Sequence, residues 1–469
     1  MMKKYFYLIL IGISIAGTGC KKYLDVNKNP NLVTDPPING LLANVTLQSG
    51  LNVQRMGNIA AYYVQYLSSP NAGGDRDTYK EEDLSGTWTS HYDVMMDITE
   101  MNKLAIARGS SQHLGVGKVL MAMNLNMLIN TFGDVPYSES FQGQQLLTPK
   151  YDDQQQLHAT SIQLLDEAIA ELSKTDSKLQ LDAASDLIHG GNVNAWKKTA
   201  FALKARFLNQ LSKRPEYNPT AIFTALQNAY TSNSDDAGLR TFTARSPWNQ
   251  VAYNNTVLLL DGWLSQQFVD ALDGTSYGTI DPRLKLVTDT TKFGDFRGTP
   301  NGVGRTGTGT NKEESYLSVN GFYSKAGAPL WLATFAEMKF IEAEAAFRAN
   351  EKTRAYQAYI DGIFAHMDKL GVPAAEKATY VDNTLIAVGE ANLTLELIMK
   401  EKYIAMFLHP ESWVDARRFD YQYKDFGLPV NAALSSFIRR SAYPNIEISR
   451  NSKNIPSVPG LDQKLWWDQ

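Results

Sequence analysis

Cys20 is the only cysteine among 469 residues, so no intrachain disulfide can staple this chain and its fold must rest on a hydrophobic core. That core is affordable. About 450 residues are enough to bury most of their apolar surface, and 43% of the sequence is hydrophobic. Length alone would allow two or three domains.

The position of Cys20 says as much as its solitude. Lys3 and Lys4 give a positive start, and Tyr5 to Ile15 forms an apolar run of 11 residues. Such a run suits a secretory leader and is well short of the roughly 20 residues that cross a bilayer as a helix. The small residues Ala16-Gly17-Thr18-Gly19 then lead directly to Cys20. The expectation is a lipoprotein signal peptide over 1–19, with Cys20 the lipidated residue and 20–37 a polar tether rich in Asn and Pro. Gly17 departs from a strict lipobox, which carries Leu there, and ordinary secretion with an incidental Cys20 is the alternative. Each buried methylene contributes about 0.8 kcal/mol, so two or three acyl chains make a firm anchor.

Loss of Lys3 and Lys4 with the leader takes the formal charge from −4 to −6. Nucleic acid is therefore not an expected partner. Beyond the tether, helical periodicity dominates. Val116, Leu120, Met123 and Met127 form one stripe, and Ile162, Leu165, Ile169 and Leu172 form another. Trp196, Ala200, Leu203, Phe207 and Leu211 extend a third over more than four turns, with Asn192 or Asn194 as its cap and Pro215 beyond its end. Glu337–Ala349 and the set Leu393, Leu397, Glu401, Ile404 and Leu408 complete the series. The predicted fold is mainly α, a single large domain over 38–469 built of tetratricopeptide-like helix pairs, with spacing too irregular for a strict repeat. Two stretches, 68–92 and 235–330, show no helical stripe and are read as long loops. They carry aromatics, which disordered segments tend to lack, and long ordered loops are commonly functional.

No chemistry can be read from the motifs. Gly302-Val303-Gly304-Arg305-Thr306-Gly307 matches a dinucleotide fingerprint in spelling, but no strand pattern precedes it and no helical stripe follows. His91, His113, His158, His189, His366 and His409 are scattered singly, so neither a metal cluster nor a triad emerges. Asp75, Asp77, Glu81, Glu82 and Asp83 form a dense carboxylate group, but Lys80 stands where a calcium-binding loop would need glycine. No catalytic residue, metal or cofactor is expected.

A series of motifs in order resembles the SusD/RagB family. Tyr23-Leu24-Asp25-Val26-Asn27 follows Cys20, and Thr131-Phe132-Gly133-Asp134-Val135-Pro136-Tyr137 closes a helix. Asn194-Ala195-Trp196-Lys197-Lys198, Phe335-Ala336-Glu337 and Trp413-Val414-Asp415-Ala416-Arg417-Arg418 come next, and Leu465-Trp466-Trp467-Asp468 ends the chain. The resemblance implies a non-enzymatic outer-membrane lipoprotein that binds an oligosaccharide or a peptide and passes it to a SusC-type TonB-dependent transporter. A helical-repeat scaffold for protein assembly is the second reading. Long aromatic loops favour the binder, since a scaffold of packed pairs needs only short connections. Aromatic faces beside a fixed cation or amide are the expected ligand contacts. In the first loop Asn71, Arg76, Tyr79, Trp88 and Tyr92 have this composition, with Trp88 foremost, and Phe293, Phe296 and Arg297 form a second group.

Overall fold

The stripes close into helices where capping residues stop the chain from continuing. The computed structural model describes residues 36–257, 261–307 and 312–469. The leader, Cys20 and the tether up to residue 35 lie outside the described residues. Six helices, α1 (Ile38–Tyr63), α2 (Ser85–Arg108), α3 (Ser111–Phe132), α4 (Gln154–Leu172), α5 (Val193–Gln210) and α6 (Pro219–Leu226), follow one another, each packed on the next. Ser110 caps α3, Asp153 caps α4 and Asn192 caps α5, each side chain accepting a backbone N–H of the first turn. This settles the choice between Asn192 and Asn194.

Two short strands, β1 (Leu67–Ser68) and β2 (Ala237–Leu239), and the short helices α7 (Pro247–Thr256), α8 (Gln266–Leu272) and α9 (Leu284–Val287) interrupt the bundle. Strand β3 (Trp263–Leu264) pairs antiparallel with β1, and β4 (Leu330–Ala333) pairs antiparallel with β2. The segment 235–330 is thus not wholly irregular. Its helices are too short to show a stripe. The later pairs are α10 (Phe335–Arg348), α11 (Lys352–Leu370), α12 (Ala374–Val381), α13 (Leu395–Ala405) and α14 (Glu411–Arg418), before a last short helix, α15 (Asn445–Arg450). Helix α10 packs on α11 and α13 and also on α5 and α6, so the early and late pairs share one core.

Buried ion pairs cross between those pairs. Arg206 on α5 holds Glu337 on α10 through two bonds of 2.5 and 2.6 Å. Arg418 on α14 reaches Glu344 on α10 at 2.6 and 2.9 Å and Asp415 at 2.5 Å. Arg283 joins Asp281 to Glu401 on α13, and all three side chains are fully buried. Burial raises the Glu401 carboxyl, but Arg283 and Lys400 outweigh it and hold Glu401 below its usual range. Removing one member of such a set leaves a charge buried without compensation. The C-terminus joins the same system. The Arg417 guanidinium lies 3.8 Å from the Trp413 ring and 4.6 Å from that of Trp467, and buried Asp468 pairs with Lys213 and Arg439. The Trp-Trp-Asp tail therefore docks onto the body, as its aromatic composition suggests.

Candidate ligand-binding site

Asp77 joins two loops more than 200 residues apart in the chain. Its carboxylate accepts the Gly302 N–H and the Asn301 side-chain amide, each at 2.5 Å, and the Ser68 hydroxyl at 3.4 Å. Burial raises its pKa, and these donors oppose the rise. The backbones meet closely enough that side chains cannot intervene. Gly302 (φ +84°) would place a Cβ 2.0 Å from the Val430 carbonyl oxygen, and Gly304 (φ +78°) would place one 2.5 Å from the Ala72 nitrogen. The glycine spelling that mimics a nucleotide motif is thus explained by loop packing. Gly73 N–H donates to the Gly302 carbonyl and Arg305 N–H to that of Pro70, fixing the register.

Beside this junction opens a polar cleft of 310 Å³ whose lining includes Asn58, Tyr62, Asn71, Arg76, Glu82 and Asp261. Tyr62, at the end of α1, donates its hydroxyl to Asp261 at 3.3 Å. Asp261 is half-buried and has no ion-pair partner among the described residues. Burial lifts its pKa, against the Gly262 N–H and Tyr62 hydroxyl that oppose the rise. The Arg76 guanidinium holds Glu82 in a fork, with Nε to Oε2 at 2.7 Å, and lies 5.7 Å from the Tyr62 ring centre. The Glu82 pair therefore fixes Arg76 as an oriented donor at the cleft wall. Carboxylate, amide and guanidinium groups converging on a small depression can exchange hydrogen bonds with a polyhydroxylated or amide-bearing ligand.

A family model described as starch-binding associating with outer membrane, of the SusD-like type, matches residues 30–444. The chain belongs to the SusD-like family. Its fold matches that of a SusD/RagB family protein from Bacteroides thetaiotaomicron with a TM-score of 0.77 at 20% identity, covering 92% of this chain and 99% of that one. A chitin-binding SusD homologue from Flavobacterium johnsoniae aligns with a TM-score of 0.76 at 22% identity over 92% and 98% of the two chains. A SusD homologue from Bacteroides fragilis gives 0.77 at 21% over 93% and 100%. No curated protein sequence matches. These likenesses establish the tetratricopeptide-like fold.

Within this SusD-like fold the expected contact residues separate. Asn71 and Arg76 line the cleft. Trp88 does not reach it. The segment taken as loop up to Tyr92 turns into α2 at Ser85, and Trp88 in its first turn is 4% exposed. Its indole packs 5.0 Å from the Tyr92 and Phe132 rings and 6.3 Å from Tyr151. Tyr79 is 1% exposed and packs edge-on to Tyr63. Trp88 and Tyr79 are thus core residues and are withdrawn from the site. Tyr92 is half-buried, with its hydroxyl donating to the Pro136 carbonyl at 2.7 Å, and Phe296 is half-buried against the core. Phe293 stands out. It is 56% exposed on a loop tip, with the Arg297 guanidinium 4.3 Å from its ring centre and the Lys292 ammonium at 5.2 Å. Arg297 also pairs with Asp295. Neither Phe293 nor Arg297 lines the cleft.

Sequence reasoning missed Tyr62 and Asp261. Tyr62 sits on a helix beside Tyr63 and reads as core, and Asp261 is a lone acid with no motif around it. Four of the five carboxylates of the acidic group are engaged separately: Asp77 at the loop junction, Glu82 with Arg76, Asp75 with Lys80, and Asp83 with the Ser85 N–H.

Proposed function

We propose that this SusD-like chain is a cell-surface glycan-binding lipoprotein that hands its ligand to a SusC-type TonB-dependent transporter. The observation that carries the reading is the cleft, where Asn71, Arg76, Tyr62 and Asp261 converge beside a loop junction locked by buried Asp77. Family membership and the chitin-binding homologue favour a sugar over a peptide. Charge narrows the class. Asp75, Asp77, Glu82 and Asp261 border the cleft against the single cation Arg76, so neutral oligosaccharides are favoured over uronates and sulfated chains. The exposed Phe293 ring offers a flat face on which a further sugar ring can stack. No described helix is long and apolar enough to cross a membrane. A lipid on Cys20 supplies the attachment and the transporter supplies the route across.

Calorimetric titration with neutral starch-type and chitin-type oligosaccharides tests the site. Asp261→Asn and Phe293→Ala are each expected to weaken binding at least fivefold with an unchanged melting temperature. Uronic-acid oligomers should not bind. Full affinity in both variants would remove the cleft and the Phe293 platform from the site. The anchor has its own test: Cys20→Ala should leave the chain unacylated and absent from the membrane fraction after it is dissociated from its transporter. Retention of that variant in the membrane would overturn the lipid.

A further inference from the structure

A second open groove lies between α1 and α2, one turn along α1 from the cleft and sharing no lining residue with it. It measures 620 Å³, inside the 300–1,000 Å³ usual for small-ligand sites. The two helices run antiparallel, since Asn44 on α1 bonds Asp97 on α2 at 2.7 Å while Asn52 accepts the Ser90 hydroxyl at 2.8 Å. Asn44, Gln48 and Arg55 face the groove from α1, and Thr89, Asp93 and Asp97 from α2. Their spacing of four and seven residues keeps each set on one helix face.

The charges along this groove are separated by sign. Arg55 is half-buried and makes one side-chain bond, to Asn52 at 2.9 Å. It has no carboxylate within ion-pair distance among the described residues, and burial alone lowers its pKa. Asp93 and Asp97 lie toward the other end, likewise without a cation. In the antiparallel register Asp93 stands opposite Gln48, seven residues from Arg55, so the cation and the Asp93 carboxylate are roughly 10 Å apart along the axis, and Asp97, opposite Asn44, lies about a turn further on. Gln48 and Thr89 make no side-chain hydrogen bonds among the described residues, which leaves an amide and a hydroxyl free along the wall. A simple anion at Arg55 would have nothing to satisfy Asp93, and a simple cation at Asp93 would leave Arg55 unpaired. A zwitterion meets both. Three extended residues span about 10 Å, which is the distance between a tripeptide's two charged ends.

We infer that the α1/α2 groove binds short peptides of about three residues by their free ends, the carboxylate on Arg55 and the ammonium on Asp93. Thr89, and Gln48 at the Asp93 end, then hydrogen-bond the peptide groups, so side-chain identity matters little. This site is independent of the glycan cleft, and its failure would leave that reading untouched.

Calorimetry on the purified full chain with trialanine, N-acetyl-trialanine and trialanine amide tests it. Trialanine should bind, and blocking either end should weaken binding at least tenfold. Arg55→Gln should make trialanine and its amide equally weak ligands, and Asp93→Asn should reduce the preference for the free amine. Asp93 is exposed and Arg55, half-buried, makes a single side-chain bond, so the melting temperature should move little in either variant. Absence of trialanine binding, or binding indifferent to end-blocking, would overturn the inference. So would variants that bind trialanine with the native preference for free ends.

Discussion

Trp88→Ala is expected to destabilise the protein by about 3–5 kcal/mol, the range for deleting a buried aromatic, while leaving oligosaccharide affinity within twofold. The indole is surrounded by Tyr92, Phe132, Tyr151 and Tyr443. These rings come from α2, from α3 and from the segments after α3 and before α15. Truncation would therefore leave a void bordered by several elements, with little freedom to collapse. For a domain of this size the melting midpoint should fall by roughly 3–5 °C. Differential scanning calorimetry reads it directly. A normal midpoint combined with lost affinity would return Trp88 to the ligand site.

The reason Trp88 misleads in the sequence is local. Helix α2 begins without a side-chain cap on Leu84, and Asp83 instead accepts the Ser85 N–H from one residue further out. The stripe Trp88, His91, Met95, Ile98, Met101 and Ala105 is regular, but it starts with an aromatic and a histidine. Those residue types suit a binding loop as well as a core. Helices α3, α4 and α5 were legible because each carries a sustained apolar stripe behind a Ser, Asp or Asn cap, whereas α1, the longest helix, and α11 were not read. The cleft was half legible: Asn71 and Arg76 belong to a loop of telling composition, whereas Tyr62 and Asp261 reach it only through the β1–β3 pairing and the loop junction. Lys400-Glu401-Lys402 shows what spacing leaves out. Glu401 falls on its helix stripe, but the two lysines beside it are buried as well, because Tyr380, Arg283 and Asp415 supply partners for the three charges. Long-range pairing of that kind leaves no trace in spacing.

The same burial predicts acid sensitivity. All six histidines have pKa values pushed below the ordinary imidazole value, with burial the first cause for each, and His91 and His158 fall to about 4. Hydrogen bonds explain why the neutral rings are fixed. Arg283 can only donate, so His366 Nδ1 accepts from it at 3.1 Å and Nε2–H donates to Tyr323 at 2.8 Å. His409 Nδ1 accepts the Glu411 N–H at 3.1 Å while its Nε2–H faces the Leu332 carbonyl at 3.2 Å. His91 donates Nδ1–H to Thr87 at 2.9 Å and has a buried Nε2 with no partner. A second proton would meet a donor in the first two rings and nothing in the third. The unfolded chain takes up those protons near pH 6.5, so below that value it binds more protons than the folded chain. Stability is thus full above pH 6.5 and is lost as pH falls toward the folded values. At pH 4 His91 and His158 alone should cost about 3 kcal/mol each, a large share of the roughly 5–15 kcal/mol that a folded domain holds. Glu411 opposes this. Burial lifts it to about 7, so protonating it stabilises the fold as pH falls from 7 to its unfolded value, and the raised carboxyls of Asp77, Asp236 and Asp261 act in the same sense nearer pH 4. Glu344 and Glu401 are held low and lose their contribution only below their unfolded values. The six imidazoles titrate in the unfolded chain from pH 6.5, whereas the raised aspartates act only nearer pH 4 and Glu411 stands alone above that, which leaves a net loss as pH falls from 6.5. Thermal melts over that range should show a falling midpoint, and His91→Gln should flatten the slope by removing one titrating ring. A midpoint constant from pH 7 to 4.5 would mean that the folded protein accepts these protons without cost, and the assignment of fixed neutral rings would have to be abandoned.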